Sequence, residues 1–297
     1  MAERRPLIIA GPTASGKSAL ALRIAERDGG CVVNADASQV YGCWRVLTAR
    51  PGDGDLARAQ HRLYGHVGCG VRYSVGAWLR DIAPVLEEAR RNGLRAIIVG
   101  GTGLYLTALT EGIAEIPEVS SEVRRRSEAL AVDLLLEDLA TLDPVSFKRI
   151  DRDNPRRVQR AWEVTVGTGR AFSEWVAHRG AAVLAASDAE CVVVEADISR
   201  LNSTIRGRFE QMVDGGGLEE CRRYMAGGFE PDLSSGRVLG APQLLAHLKG
   251  ELGLDEAVEL AVTATRQFAK RQRTWFRSRM VGWKRIDATV GGWADRI

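Results

Sequence analysis

Along the first 110 residues, short apolar and β-branched runs alternate with longer stretches in which apolar side chains recur every three or four positions. That is the pattern of parallel strands buried between helices. It predicts strands over 7–10, 31–34 and 96–99, with helices over 17–27 and 75–91. A fourth strand is expected far downstream, over 191–195, followed by helices over 201–212 and 218–225. From 112 to about 186 the text changes to helical periodicity with few strand signals, opened by "IPEVSS" and closed by "AAVLAAS". The expectation is an α/β fold: a P-loop NTPase-like core with a parallel β-sheet flanked by helices, interrupted by an all-α insertion domain. Its parts are 1–112, the insertion 113–187, and 188–297 with a long basic C-terminal helix. No fixed-period repeat is visible.

The segment after the first strand, "GPTASGKS", fits G-x-x-x-x-G-K-[ST] and stands where a phosphate loop must stand, between a strand and a helix. Gly11, Thr13, Ala14, Ser15 and Gly16 let backbone N–H groups close around diphosphate oxygens. Lys17 neutralises them, and the Ser18 hydroxyl is the expected ligand of Mg²⁺. Asp36 ends the second strand, at the carboxyl edge where ligands of open α/β sheets bind. From position alone it is a general base, a Mg²⁺-associated carboxylate or a turn residue. Thr102, in "VGGTGLY", offers a hydroxyl at a helix start, where a plain N-cap is the structural alternative. Arg222 has its own alternative, pairing with Glu219 three residues earlier on a surface helix.

With 297 residues, 45% apolar and 27% charged, the chain is an ordinary globular protein long enough for one large core and a subsidiary domain. A net charge of +3 says little, but its distribution says more. Between Arg266 and Arg285 there are eight Lys or Arg and no Asp or Glu. Arg266, Lys270, Arg273 and Arg277 share one helix face, while Val258, Val262, Phe268 and Trp275 suit a packed side, so an anionic partner is favoured over a solvated face. In "DNPRRVQRAWEV", Asn154 as N-cap and Pro155 at the first helical position place Arg156 and Arg157 in the first turn, where cations oppose the helix dipole unless an anion relieves them. Cys31, Cys43, Cys69, Cys191 and Cys221 are scattered without a C-x-x-C pair, so buried thiols in a reducing cytosol are expected, with neither disulfides nor zinc. The four histidines lack metal-ligand spacing. No apolar run approaches the length of a membrane span, which gives a cytoplasmic expectation.

Taken in order and spacing, "GPTASGKS", "NADASQVY", "TARP", "VGGTGLYLTAL", "NPRRVQRAWEV", "GGLEECRRYM" and "ATRQFAKRQRTWFRSRM" closely resemble the bacterial tRNA dimethylallyltransferase family over nearly the whole chain. The resemblance implies transfer of a dimethylallyl group from dimethylallyl diphosphate to N6 of the adenine just 3′ of the anticodon. The phosphate loop would then hold the prenyl diphosphate rather than ATP. It implies Asp36 as acceptor of the N6 proton, Thr102 near the bridging oxygen, and Arg222 as stabiliser of the leaving pyrophosphate. It also implies tRNA contacts from Asp36, Ala37, Ser38, Gln39, Thr102, Arg124, Arg156, Arg157, Val158, Gln159 and Arg160, with the stripe Arg266, Lys270, Arg273 and Arg277 on the anticodon stem-loop backbone. A monomer is expected. Two departures are Ala37, where the family usually has Ser, and "GAPQL" at 240–244 in place of a Gly-Tyr/Val-x-Gln stretch. The alternatives are a P-loop nucleotide or small-molecule kinase, an isopentenyltransferase acting on AMP, and a non-enzymatic NTP switch or RNA-binding module.

Overall fold

The structure, a computed structural model, describes residues 4–229 and 233–287; the last residues of the expected third part, 288–297, lie outside them. The chain divides into two compact units, Met1–Thr110 with Val183–Ile297, and Glu111–Ala182. In the first unit, β1 (Leu7–Ala10), β2 (Gly30–Asn34), β3 (Gln60–Arg62), β4 (Arg95–Gly100), β5 (Glu190–Glu195) and β6 (Lys284–Asp287) form one sheet in the order β3-β2-β4-β1-β5-β6. Every pairing is parallel. β1 is central, with Ala10 in register with Gly100 of β4 and Val193 of β5.

Successive residues of these strands face opposite sides. Leu7, Ile9, Ile97, Val99, Val192 and Val194 meet Leu20, Ala21, Ile24 and Ala25 of α1 (Lys17–Asp28). Ile8, Ala10, Val33, Ile98 and Val193 belong to the larger core on the other face. The apolar run is therefore continuous in each strand, because both faces are covered. The larger core is completed by Trp78 and Ile82 of α3 (Val75–Arg91) and Leu106 and Leu109 of α4 (Gly103–Glu111), beyond the short α2 (Asp53–Arg58). Each such buried Leu or Ile stabilises by roughly 1.5–3 kcal/mol.

The second unit is helical, as the change of period predicts: α5 (Ser121–Ala129), α6 (Val132–Leu142), α7 (Pro144–Arg149), α8 (Pro155–Thr168) and α9 (Phe172–Ala177). Side chains of Ser120, Asp143 and Asn154 accept from Val123 N, Ser146 N and Arg157 N and so fix the starts of α5, α7 and α8. Leu135, Leu139, Val158, Ala161 and Trp162 form its core. The chain then returns through β5 to α10 (Ile198–Met212), α11 (Leu218–Ala226), α12 (Ala241–Leu248) and α13 (Leu254–Arg279), which pack Ile205, Cys221, Leu244, Val262 and Phe276 into the larger core.

β3 and β6 were not expected. "QHR" and "KRID" carry no apolar alternation, and both are the outermost strands of the sheet, where burial does not demand it. Among the described residues, no helix is long and apolar enough to cross a membrane.

Candidate active site

A cleft opens at the carboxyl edge of the sheet. Thr13, Ala14, Lys17 and Ser18 line it from the phosphate loop. Gly11 and Ser15 are buried beneath that lining. Gly16 is left-handed at φ 83°, a conformation that suits a residue without Cβ and turns the chain directly into α1. The first turn of α1 has no side-chain cap, so its free N–H groups and the helix dipole make a ready anion site.

Asp36 stands two residues beyond β2 and lines the same cleft. Buried Asn34 fixes it, accepting from Asp36 N at 2.8 Å and donating to Asp36 O at 3.0 Å. Asp36 Oδ1 accepts from Ser38 N at 3.0 Å and Ser38 Oγ at 2.6 Å, while Oδ2 points toward Gly101, 3.4 Å from where a Cβ there would lie. Thr102 Oγ1 accepts from Ala37 N at 2.9 Å, so this hydroxyl ties the start of α4 to the Asp36 segment. The close approach of the two segments requires Gly100, whose Cβ would sit 2.0 Å from Ala35 O.

The structure does not bring Arg222 to the cleft. Its side chain is 58% exposed on α11 and paired with Glu219 at 3.2 Å, the surface alternative open in the sequence. Arg208 of α10 lines the cleft instead, together with Lys17 and Asp36. Burial lowers the Arg208 guanidinium from its ordinary range, and Asp36 counters that. Lys17 Nζ donates to Pro12 O at 3.2 Å. Burial lowers its ammonium to about 8 against the attraction of Asp36, and Arg208 adds repulsion. Two cations and one carboxylate leave the polar end of the cleft net positive. One part of the wall is apolar: Leu47, Ile205, Phe209, Met212, Val238 and Phe268. A local signal for Arg208 exists in the sequence, since it interrupts the stripe Ile205, Phe209, Met212 on α10.

The wall formed by 36–50 is held from several sides. The Glu220 carboxylate accepts from Arg45 N and Val46 N at 2.8 Å and from Leu47 N at 3.1 Å. Gln39 lines the cleft while its amide donates to Thr48 O and Ala49 O. Trp44 stacks on Tyr224 and donates to Ser235 O at 2.8 Å. The expectation of five free thiols is corrected here: Cys43 and Cys69 form a disulfide, their Cα atoms 6.0 Å apart. A parallel bridge between Tyr41 and Val67 brings the two segments together, a tertiary event with no counterpart in cysteine spacing. Cys31, Cys191 and Cys221 remain free thiols, which burial pushes up to about 11, 11 and 12.

In the helical unit, Arg156 is exposed, Arg157 reaches Asp151 at 3.3 Å and Arg124 reaches Glu118 at 3.5 Å. Arg160 is paired with Glu163 at 3.9 Å. Val158 is fully buried in the unit's core and cannot offer its side chain to a ligand. Gln159 donates to Ser127 Oγ and Glu163 Oε1, both at 3.0 Å, and so serves an internal network. On α13, Lys270 and Arg277 are exposed, Arg273 is half-buried, and half-buried Arg266 extends toward Asn202 O.

A parallel sheet with a phosphate loop after its central strand, and a cationic cleft at its carboxyl edge, defines the chain as a phosphate-loop α/β protein with a helical insertion. Residues 39–279 match the model of the IPP transferase family, and the chain belongs to that family. It is 54% identical over 283 residues to a tRNA dimethylallyltransferase of Cereibacter sphaeroides, covering 95% of this chain and 88% of the relative. Among solved structures, a tRNA isopentenylpyrophosphate transferase from Bacillus halodurans is 27% identical with a TM-score of 0.68, covering 96% of this chain and 90% of that one. A eukaryotic dimethylallyltransferase acting on tRNA is 25% identical with a TM-score of 0.83, covering 96% and 74%.

Proposed function

We propose that this chain transfers the dimethylallyl group of dimethylallyl diphosphate to N6 of the adenine 3′-adjacent to the anticodon in tRNA, releasing diphosphate. The observation that carries this reading is the joining, in one cleft, of a cationic cradle, an apolar wall and a carboxylate with a free oxygen. The first turn of α1, Lys17 and Arg208 bind the diphosphate; the wall around Leu47, Phe209 and Phe268 takes the prenyl group. As the allylic C–O bond breaks, negative charge grows on the departing diphosphate, where fixed cations lower the barrier. Arg208 takes the role expected of Arg222, and Thr102 acts through its bond to Ala37 N, which holds the Asp36 segment in place. The N6 nitrogen forms the new bond to carbon and its proton passes to Asp36 Oδ2. The target base leaves its stack to reach the site. The basic residues of α13 and of the start of α8 hold the tRNA backbone.

A divalent cation, Mg²⁺, fits the donor set at Ser18. Its side chain lines the cleft at the second position of α1 and would hold the ion together with diphosphate oxygens. No cluster of three or more His, Cys, Asp or Glu suited to a metal occurs among the described residues. When bound, the ion supplies additional neutralisation of the diphosphate.

The test is incubation of the protein with dimethylallyl diphosphate and unmodified tRNA, followed by nucleoside mass spectrometry. The expected result is N6-(dimethylallyl)adenosine, with dimethylallyl diphosphate displacing ATP in competition binding. ATP binding and turnover without prenylated nucleoside would replace this reading with the kinase one, and product from free AMP alone would replace tRNA as acceptor.

A further inference from the structure

Beyond Ala10 and Gly100 the paired strands β1 and β4 diverge, one into the phosphate loop and the other into the loop that carries Thr102. The two segments that must present the leaving group and the base side of the reaction therefore lose their shared ladder just where their separation matters. One side chain spans them. Gln272 of α13 is 5% exposed; its Oε1 accepts from Thr13 N at 2.9 Å and its Nε2 donates to Gly101 O at 2.8 Å. One acceptor and one donor, placed across two diverging strands, are what a peptide group would supply.

We propose that Gln272 is a positioning residue for the transfer proposed above, on which this inference rests: its side-chain amide fixes the spacing between the phosphate loop and the Gly101–Thr102 segment. Burying an amide is unfavourable unless both of its ends are paired, and here both are. Thr13 lies four residues before Lys17. Gly101 precedes Thr102, whose hydroxyl holds Ala37 N beside Asp36. A single amide thus sets the reach from the diphosphate cradle to the carboxylate. The loop is shaped for this contact. A Cβ on Gly101 would come within 2.2 Å of Gln272 Nε2, and one on Gly103 within 2.2 Å of the Trp275 ring. Trp275 also donates to Thr107 Oγ1 at 3.3 Å, anchoring α13 to α4 one turn beyond.

The test uses two near-isosteric variants of the full chain. Gln272→Met removes both bonds; Gln272→Glu keeps the acceptor for Thr13 N but sets a carboxylate oxygen against Gly101 O. Hydrogen exchange on the free protein reads the clamp without turnover. Faster exchange confined to peptides covering 11–18 and 100–104 is expected in Gln272→Met, and unchanged exchange there overturns the proposal whatever the activity. With dimethylallyl diphosphate saturating and enzyme in excess over tRNA, each variant should lose roughly 10- to 100-fold in single-turnover rate, because small misplacements of reacting groups are costly. The KM for tRNA should stay within about threefold of wild type. A lowered melting temperature with an undiminished rate per folded molecule would make Gln272 a packing residue and overturn the proposal. If exchange rises as expected but wild type makes no prenylated nucleoside, the clamp stands and the transferase reading falls.

Discussion

Asp36 has one carboxylate oxygen committed to Ser38 and one left toward Gly101, which is how a base is held rigid while keeping a free acceptor. Asp36→Asn preserves that geometry but not the basicity. A fall of about 10² to 10⁴ in single-turnover rate is expected, with affinity for tRNA retained; a rate above about a tenth of wild type would reduce Asp36 to a turn residue. Lys17 carries a pH signature. Its ammonium falls from 10.5 to about 8 on burial, so this group adds stability as pH rises from about 8 toward 10.5 and not below. Bound diphosphate favours the charged form again, so binding should take up a proton above about pH 8 and weaken as pH rises through that value. Calorimetry in two buffers of different ionisation enthalpy checks this, and identical heats at about pH 8.5 would contradict it. Asp36 and Lys17 were legible because their positions follow from a strand end and a loop motif. Arg208 was legible only in part: a cation among Ile205, Phe209 and Met212 marks α10 locally, but which face of that helix meets the cleft is set by tertiary packing. Arg222 pairs with Glu219 on the surface of α11, the local arrangement its three-residue spacing allows.

At the scale of elements, strands buried on both faces and helices with an apolar stripe were legible, since burial writes its period into the sequence. β3 and β6 were not, being edge strands of three and four residues without apolar alternation. The 36–50 segment was half-legible. Its motif could be read, but the Glu220 carboxylate that gathers three of its amides comes from 175 residues away. α13 presents two faces with separate tasks. Val262, Ala269, Gln272 and Phe276 are buried, while Lys270 and Arg277 remain in solvent. Lys270→Gln and Arg277→Gln should each flatten the dependence of log K on log[salt] for anticodon stem-loop RNA by up to ~1, leaving diphosphate affinity unchanged. Arg266→Gln tests the same stripe less cleanly, because that side chain is half-buried and extends toward Asn202 O. Unaltered salt slopes in both exposed-site variants would place the RNA grip elsewhere.

For the molecule as a whole, the order of the strands has a consequence for how the chain is made. β1 ends at residue 10, yet one of its two partners is β5, which begins at residue 190. A growing chain that has emerged through β4 can pair β1 on one side only. The other edge, a row of unsatisfied N–H and C=O groups flanked by Leu7, Ile8 and Ile9, stays open while the helical unit is synthesised. At about 5–20 residues per second, the roughly 80 residues between α4 and β5 take on the order of 4–16 s. During that interval the nascent protein carries an apolar strand paired on one side only, the kind of edge that recruits other chains. The helical unit has its own core and caps, so it can fold within the same interval. The cleft cannot close until α10 and α13 are released, so its lining is assembled only once synthesis has passed residue 279.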